Sequence, residues 1–191
     1  MKTALLTSYE KDAHLLRLGK LLQENDWTII GSAGTAAYLN EHGVTCRDVA
    51  EIVGPPILKH KVVTLSRELH TALLSAPHDA AELMRLGIEP IDLVYVTLYP
   101  LEKAIQDPGS RPEDVLEKTD IGGPALLRSA AKGRRLALSN PFQIQEIEEW
   151  FMRGAGDAER KKLAEKFAAA AERTVADYVE TSARYWENRA R

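Results

Sequence analysis

The stretch 119–132, TDIGGPALLRSAAK, gathers one carboxylate, two glycines and two cations around the start of a helix. Asp120 stands before Ile121, Gly122 and Gly123, and an amphipathic run carrying Arg128 and Lys132 follows. The first amides of a helix lack intrahelical acceptors, and the peptide dipoles make that end electropositive. It can therefore hold an anion, while a carboxylate beside it can accept or relay a proton. Asp120 also reads as an ordinary helix cap.

Three other segments offer comparable groups. Thr7-Ser8-Tyr9-Glu10-Lys11 supplies hydroxyls, amides and a lysine. Ser32-Ala33-Gly34-Thr35 is a small-residue turn whose amides and hydroxyls can wrap a phosphate. Thr97-Leu98-Tyr99-Pro100 presents two hydroxyls at the end of an apolar run. Each segment alone reads equally as a helix cap; four at successive junctions point to a shared anion site. His14, His42, His70 and His78 lack ligand-like spacing, whereas His60 lies in an irregular loop from which it could approach the site. The spacing shows no metal site, P-loop lysine or Ser-His-Asp arrangement.

These segments need elements that bring them to one place. Thr3–Thr7 reads as a short buried strand, and leucines from Leu15 to Leu22 recur at helical spacing. Trp27–Ile30 is a second strand, and the helix opened by Ser32 runs to about His42, with Gly43 as its cap. Alternation of this kind predicts βαβ units and a parallel sheet. Ile91–Leu98 is apolar and β-branched throughout, as expected of an interior parallel strand. Leu136–Ser139 reads as a last strand, with Pro141 in the first turn of the next helix. Gly54-Pro55-Pro56 excludes a helix through 44–64, which reads as an extended loop before helical pattern resumes at Arg67 and again at Asp79–Leu86. From Asp157 to about Asn188 the composition predicts a long helix, with Leu163, Phe167, Ala170, Ala171 and Val175 on one stripe and a break near Ala176. We expect residues 1–150 to form an α/β domain and 151–191 a helical extension.

With 191 residues, 45% hydrophobic and 28% charged, the chain has ordinary globular composition and enough length for one core. A net charge of −3 argues against a nucleic-acid or membrane-surface partner. Cys46 is the single cysteine, which excludes an internal disulfide. The apolar run at the N-terminus is too short for a signal peptide and no segment is long enough to span a bilayer, so a cytoplasmic setting is expected.

Several of these segments are similar to one known family. ALLTSYEK, the Ser-Ala-Gly-Thr-Ala turn, DVAEIVGPP, GIEPIDLVYVTLYPLEKAI and DIGGPALLRSAAK resemble the IMP cyclohydrolase domain of the bifunctional enzyme of purine biosynthesis. That domain has the methylglyoxal synthase-like fold, so the resemblance implies a three-layer α/β structure, a mainly parallel sheet flanked by helices. It implies closure of the pyrimidine ring of a formylated aminoimidazole carboxamide ribonucleotide to IMP and water, with no cofactor. Tyr99, Asp120 and Lys132 match the catalytic tyrosine, aspartate and lysine. Thr7, Lys11, Ser32, Gly34 and Thr35 match the phosphate site. Tyr9, Lys61, Thr64, Thr97, Leu98, Ile121, Gly122 and Gly123 match other substrate contacts.

Some positions differ from the family pattern. Lys61 stands where an arginine is usual, Val63 replaces a lysine, Thr97 an asparagine, Tyr9 a serine and Ala33 a glycine. Lys59 or His60 would then have to supply the missing charge. The expectations are a standalone IMP cyclohydrolase, a homodimer, and a formyl-transferring partner on a separate chain. The alternatives are a purine-nucleotide-binding relative without turnover and another phosphate-substrate enzyme, with a methylglyoxal synthase-like lyase the nearest example.

Overall fold

Five strands form one parallel sheet among residues 2–59 and 61–190, which the computed structural model describes. In chain order, β1 (Thr3–Ser8) leads to α1 (Ala13–Glu24), β2 (Thr28–Gly31) and α2 (Ala33–Glu41). Then come β3 (Arg47–Asp48), α3 (Ala50–Val53), α4 (Arg67–Leu74), a 3-10 turn at Pro77–Asp79, and α5 (Ala80–Leu86). Strand β4 (Leu93–Thr97) is followed by α6 (Leu101–Gln106), α7 (Pro112–Glu117) and α8 (Gly122–Lys132). The chain closes with β5 (Leu136–Leu138), α9 (Gln143–Met152) and α10 (Asp157–Arg189).

The strand order is β3-β2-β1-β4-β5. Because every pairing is parallel, the carboxyl ends of β1, β2 and β4 open on the same rim. Register aligns Ser8 with Thr97, so the residues that leave β1 and β4 start out side by side. The apolar strands are buried because helices cover both faces. Ala4, Leu6, Leu93 and Tyr95 pack with Leu15, Leu18, Trp150 and Phe167 on one face. Leu5, Val94 and Val96 pack with Leu69, Leu126, Leu127 and Ala130 on the other.

Local signals set the helix ends that matter. The Asp12 carboxylate accepts the Leu15 N–H and starts α1. Gly43, at φ +80°, follows α2 as the left-handed residue that ends it.

The segment 44–64 differs from the expected loop. Arg47–Asp48 joins the sheet beside β2, and Ala50–Val53 makes one helical turn. A two-residue polar strand has no alternation of its own; pairing with β2 creates it. Pro55 and Pro56 do keep the following stretch irregular, with one antiparallel bridge between Ile57 and Val62. His60 lies outside the described residues. Helix α10 is unbroken through Ala176. It packs along α8 and β5, with Leu163 and Phe167 in one core cluster and Ala171 and Val175 in the other. Among the described residues, no helix is long and apolar enough to cross a membrane.

Candidate functional site

One end of the site is the junction of β1 and α2. Thr35 is fully buried, and its hydroxyl accepts the Ser8 N–H at 3.2 Å and the Ser32 hydroxyl at 3.0 Å. Ser32 is the N-cap residue of α2, but no side chain caps that helix. Its first-turn amides therefore face out of the end, where an anion is favoured. The Lys11 ammonium folds back over this turn and donates to the Ser8 and Tyr9 carbonyls, the latter at 3.3 Å. A methyl group on Gly34 would lie 3.8 Å from Lys11 Nζ, so the cation stands beside the exposed amides. Partial burial pushes the Lys11 ammonium below the usual lysine range. These groups can hold a phosphate.

The other end is the loop before α8. The Asp120 carboxylate accepts the Gly123 N–H at 2.8 Å, and the amides of Tyr99 and Gly122 lie near enough to favour its charge. Burial nevertheless raises the Asp120 carboxyl above the usual carboxylate range, the three amides opposing that rise. Both glycines are needed for close approach. A methyl on Gly122 would collide with the Thr64 hydroxyl, and one on Gly123 would stand 2.6 Å from both Asp120 Oδ2 and Leu98 Cδ2.

The two ends are joined through β4. Ser8 Oγ and Thr97 Oγ1 share a hydrogen bond of 2.7 Å, and the Tyr9 N–H donates to Thr97 Oγ1 at 2.8 Å. The rings of Tyr9 and Tyr99 meet edge to face, 5.2 Å between centroids. Burial first, and Asp120 second, raise the Tyr99 phenol above its ordinary value. The rim thus carries an anion cradle, a protonated phenol and a half-buried carboxylate.

Residues 14–125 match the family model described as MGS-like domain. The chain belongs to the MGS-like domain family. It is 38% identical over 157 residues to the bifunctional purine biosynthesis protein PurH of Aquifex aeolicus, covering 79% of this chain and 31% of that protein. It is 37% identical over 192 residues to PurH of Trichodesmium erythraeum, covering 97% of this chain and 37% of that protein. This MGS-like chain therefore spans about a third of the length of those relatives. The crystal structure of ForH superposes with a TM-score of 0.80 at 27% identity, over 95% of this chain and 97% of that one.

Within this MGS-like chain, Ser32, Gly34, Thr35, Lys11 and Tyr9 gather at the β1–α2 end, and Thr64, Leu98, Tyr99, Asp120, Gly122 and Gly123 at the α8 end. Thr97 links them. Thr7 is half-buried near the end of β1, and alternation puts it on the same sheet face as Leu5, the face α8 covers. Ile121 is 63% exposed at the start of α8.

Other expected residues lie apart. Lys61 is exposed and pairs with Glu117 at 3.7 Å. Val63 is half-buried and packs on the core beside α8 and β4. Arg128 pairs with Glu172 of α10 at 3.2 Å. Lys132 is exposed in the last turn of α8. Ten residues of helix separate it from Gly122, about 15 Å at the usual rise. The chain does not bring Lys132 to Asp120. His70 bonds Ser129 at 2.8 Å between α4 and α8. The loop bearing Asp120 also joins two helices, α7 and α8, rather than a strand and a helix.

Two residues escaped sequence reasoning. Lys118 donates to the Tyr9 hydroxyl at 3.2 Å, and Tyr178 of α10 bonds the backbone at Lys118 and Asp120. Lys118 is adjacent to a motif and was open to notice on that ground. Tyr178 lies 58 residues beyond Asp120 in the chain, with no local signal.

Proposed function

We propose that the chain is an IMP cyclohydrolase, closing the ring of 5-formamidoimidazole-4-carboxamide ribonucleotide to IMP and water. One observation carries this reading: the Asp120 carboxylate, fixed by the Gly123 N–H at 2.8 Å, lies close enough to Tyr99 to raise its phenol, which sets acceptor and donor together on the rim of the anion cradle. The similarity to proteins named for purine biosynthesis supports it. The 5′-phosphate is assigned to the α2 amides and Lys11, and the heterocycle to the space before Tyr99 and Asp120.

The chemistry needs few groups because both reactants belong to one molecule. Addition of the carboxamide nitrogen to the formyl carbon transfers a carboxamide proton to the formyl oxygen. Loss of water then removes that oxygen with the formamido proton and leaves a carbon–nitrogen double bond. Holding the two groups in contact supplies much of the acceleration. The Tyr99 hydroxyl and the amides near Gly122 would stabilise the oxyanion, and Asp120 would take up and return the proton. We further propose a cytoplasmic setting, a homodimer and a separate formyl-transferring partner.

Ultraviolet detection of IMP formation from the formylated ribonucleotide, against the uncatalysed rate, tests the reading. Acceleration supports it. IMP binding without acceleration selects the non-catalytic relative, which the burial of Val63 against the core favours. Neither binding nor acceleration points to another phosphate substrate.

A further inference from the structure

Lys118 is a cation at this rim to which the mechanism above gives no task. It caps the C-terminus of α7 and is half-buried. Its Nζ lies 5.0 Å from the Tyr9 ring centroid and 6.0 Å from that of Tyr99, within reach of a cation–π attraction to both. Its backbone is fixed from behind: the Tyr178 hydroxyl donates to the Lys118 carbonyl at 2.9 Å and accepts the Asp120 N–H at 2.7 Å. Residues 118–120 therefore form a braced unit, with an ammonium at one end and a carboxylate at the other, and Tyr99 beside both.

We infer that Lys118 is a positioning residue for ring closure, acting through Tyr99: it holds the phenol ring and strengthens its hydroxyl as a donor to the developing oxyanion. The inference rests on the ring-closure reading. Negative charge grows on the formyl oxygen as the nitrogen adds, and a nearby cation lowers the energy of that charge. Among the described residues, the charged and titratable groups facing Tyr99 are Asp120, Lys118, Glu117, Tyr9 and, from α10, Tyr178. Lys118 is the one cation in that set. It favours the ionised phenol, whereas burial, Asp120, Glu117 and Tyr9 oppose ionisation. Two other lysines of the region are engaged elsewhere: Lys11 with the Ser8 and Tyr9 carbonyls, Lys61 with Glu117.

The test uses the full chain and begins with the wild type. With saturating formylated ribonucleotide, Lys118→Met should lower kcat about tenfold, less than the hundredfold or more of deleting a direct oxyanion donor. KM should stay nearly constant, and the alkaline limb of the kcat profile should move to higher pH, because the phenol loses its neighbouring cation. Lys118→Arg should restore most of kcat, and ethylammonium should partly rescue Lys118→Ala. Wild-type kcat with an unmoved alkaline limb in Lys118→Met would overturn the inference. So would a loss that neither arginine nor the added amine repairs, which marks a purely structural residue. If Lys118→Met does not fold, the arginine variant and amine rescue of the alanine variant decide. A wild-type chain that fails to cyclise the substrate removes the ring-closure reading, and this inference falls with it; an active wild type with an indifferent Lys118 removes only the inference.

Discussion

The N–H of Asp120 donates to the hydroxyl of Tyr178 at 2.7 Å, joining the loop before α8 to a helix 58 residues further along the chain. The same hydroxyl donates to the Lys118 carbonyl. Burial pushes the Tyr178 phenol up to about 12, so it stays protonated and keeps both bonds at neutral pH. Tyr178→Phe leaves an amide and a carbonyl without their partner. The expected loss of stability is about 1–3 kcal/mol, measured by urea denaturation. Turnover should fall by a larger factor than IMP affinity, because the loop that loses its brace carries Asp120 and not the phosphate cradle.

Asp120→Asn should lower the cyclisation rate at least about tenfold, a floor set below the roughly 10²–10⁴-fold that a positioned acid or base contributes. IMP affinity should stay nearly unchanged. Rate and equilibrium dialysis measured on the same preparation separate the two, and equal rates would remove Asp120 from the mechanism. The pH profile follows from burial. The folded state holds the Asp120 proton to a higher pH than the unfolded chain does. Activity that needs the carboxylate should therefore fall on acidification at a pH above the ordinary aspartate range of about 3.9. Stability responds in the opposite sense: between the ordinary and the raised value the folded state binds more protons, so this group destabilises progressively as pH rises through that window. Asp120→Asn should remove that contribution from the pH dependence of the melting temperature.

Gly123→Ala places a methyl 2.6 Å from both the Asp120 carboxylate and a Leu98 methyl. Something must move, at an expected cost of about 1–3 kcal/mol. The carboxylate is the more mobile neighbour, and a displacement near 1 Å at a reacting group costs roughly a hundredfold in rate. A kcat that stays within a factor of two would show that the close packing of Gly123 is not what positions Asp120.

Thr35→Val removes the hydroxyl that receives the Ser8 N–H inside the core. An unpaired buried amide costs about 1–3 kcal/mol. The start of α2 should also loosen against β1, weakening inorganic phosphate and IMP binding together. Calorimetric titration with each ligand checks this. Loss of IMP binding with phosphate binding intact would place the phosphate elsewhere.

The chain announces the parts of the fold whose order is local. Leu5, Ile29, Val94 and Ala137 lie in short apolar runs, and each run is a strand. Leucine spacing gives α1, and Gly43 marks the end of α2. Arg47–Asp48 offers no such signal, because two polar residues become a strand only when β2 is already in place. The absence of a break near Ala176 has the same origin. Tertiary packing of Ala171 and Val175 against the domain holds the helix straight where composition alone leaves it undecided.

The site divides along similar lines. Ser32–Thr35 and Asp120–Gly123 are contiguous motifs whose residue types state their backbone chemistry; the first reaches the rim directly from β2, the second by packing against Leu98 just after β4. Lys132 is a site residue only through the family resemblance, and helical rise carries it to the far end of α8. Lys118 becomes part of the site only when the end of α7 swings its ammonium over Tyr9, a contact spanning 109 residues. No local pattern encodes that distance.

Helix α10 lies along β5, the last strand of the sheet, and also carries Tyr178. Architecture and reactivity therefore share one rod and cannot drift independently. A single residue inserted between Val175 and Tyr178 would leave the upstream seam intact, yet swing the phenol about 100° around the axis. The outer fold would survive, and Asp120 would have nothing at its back.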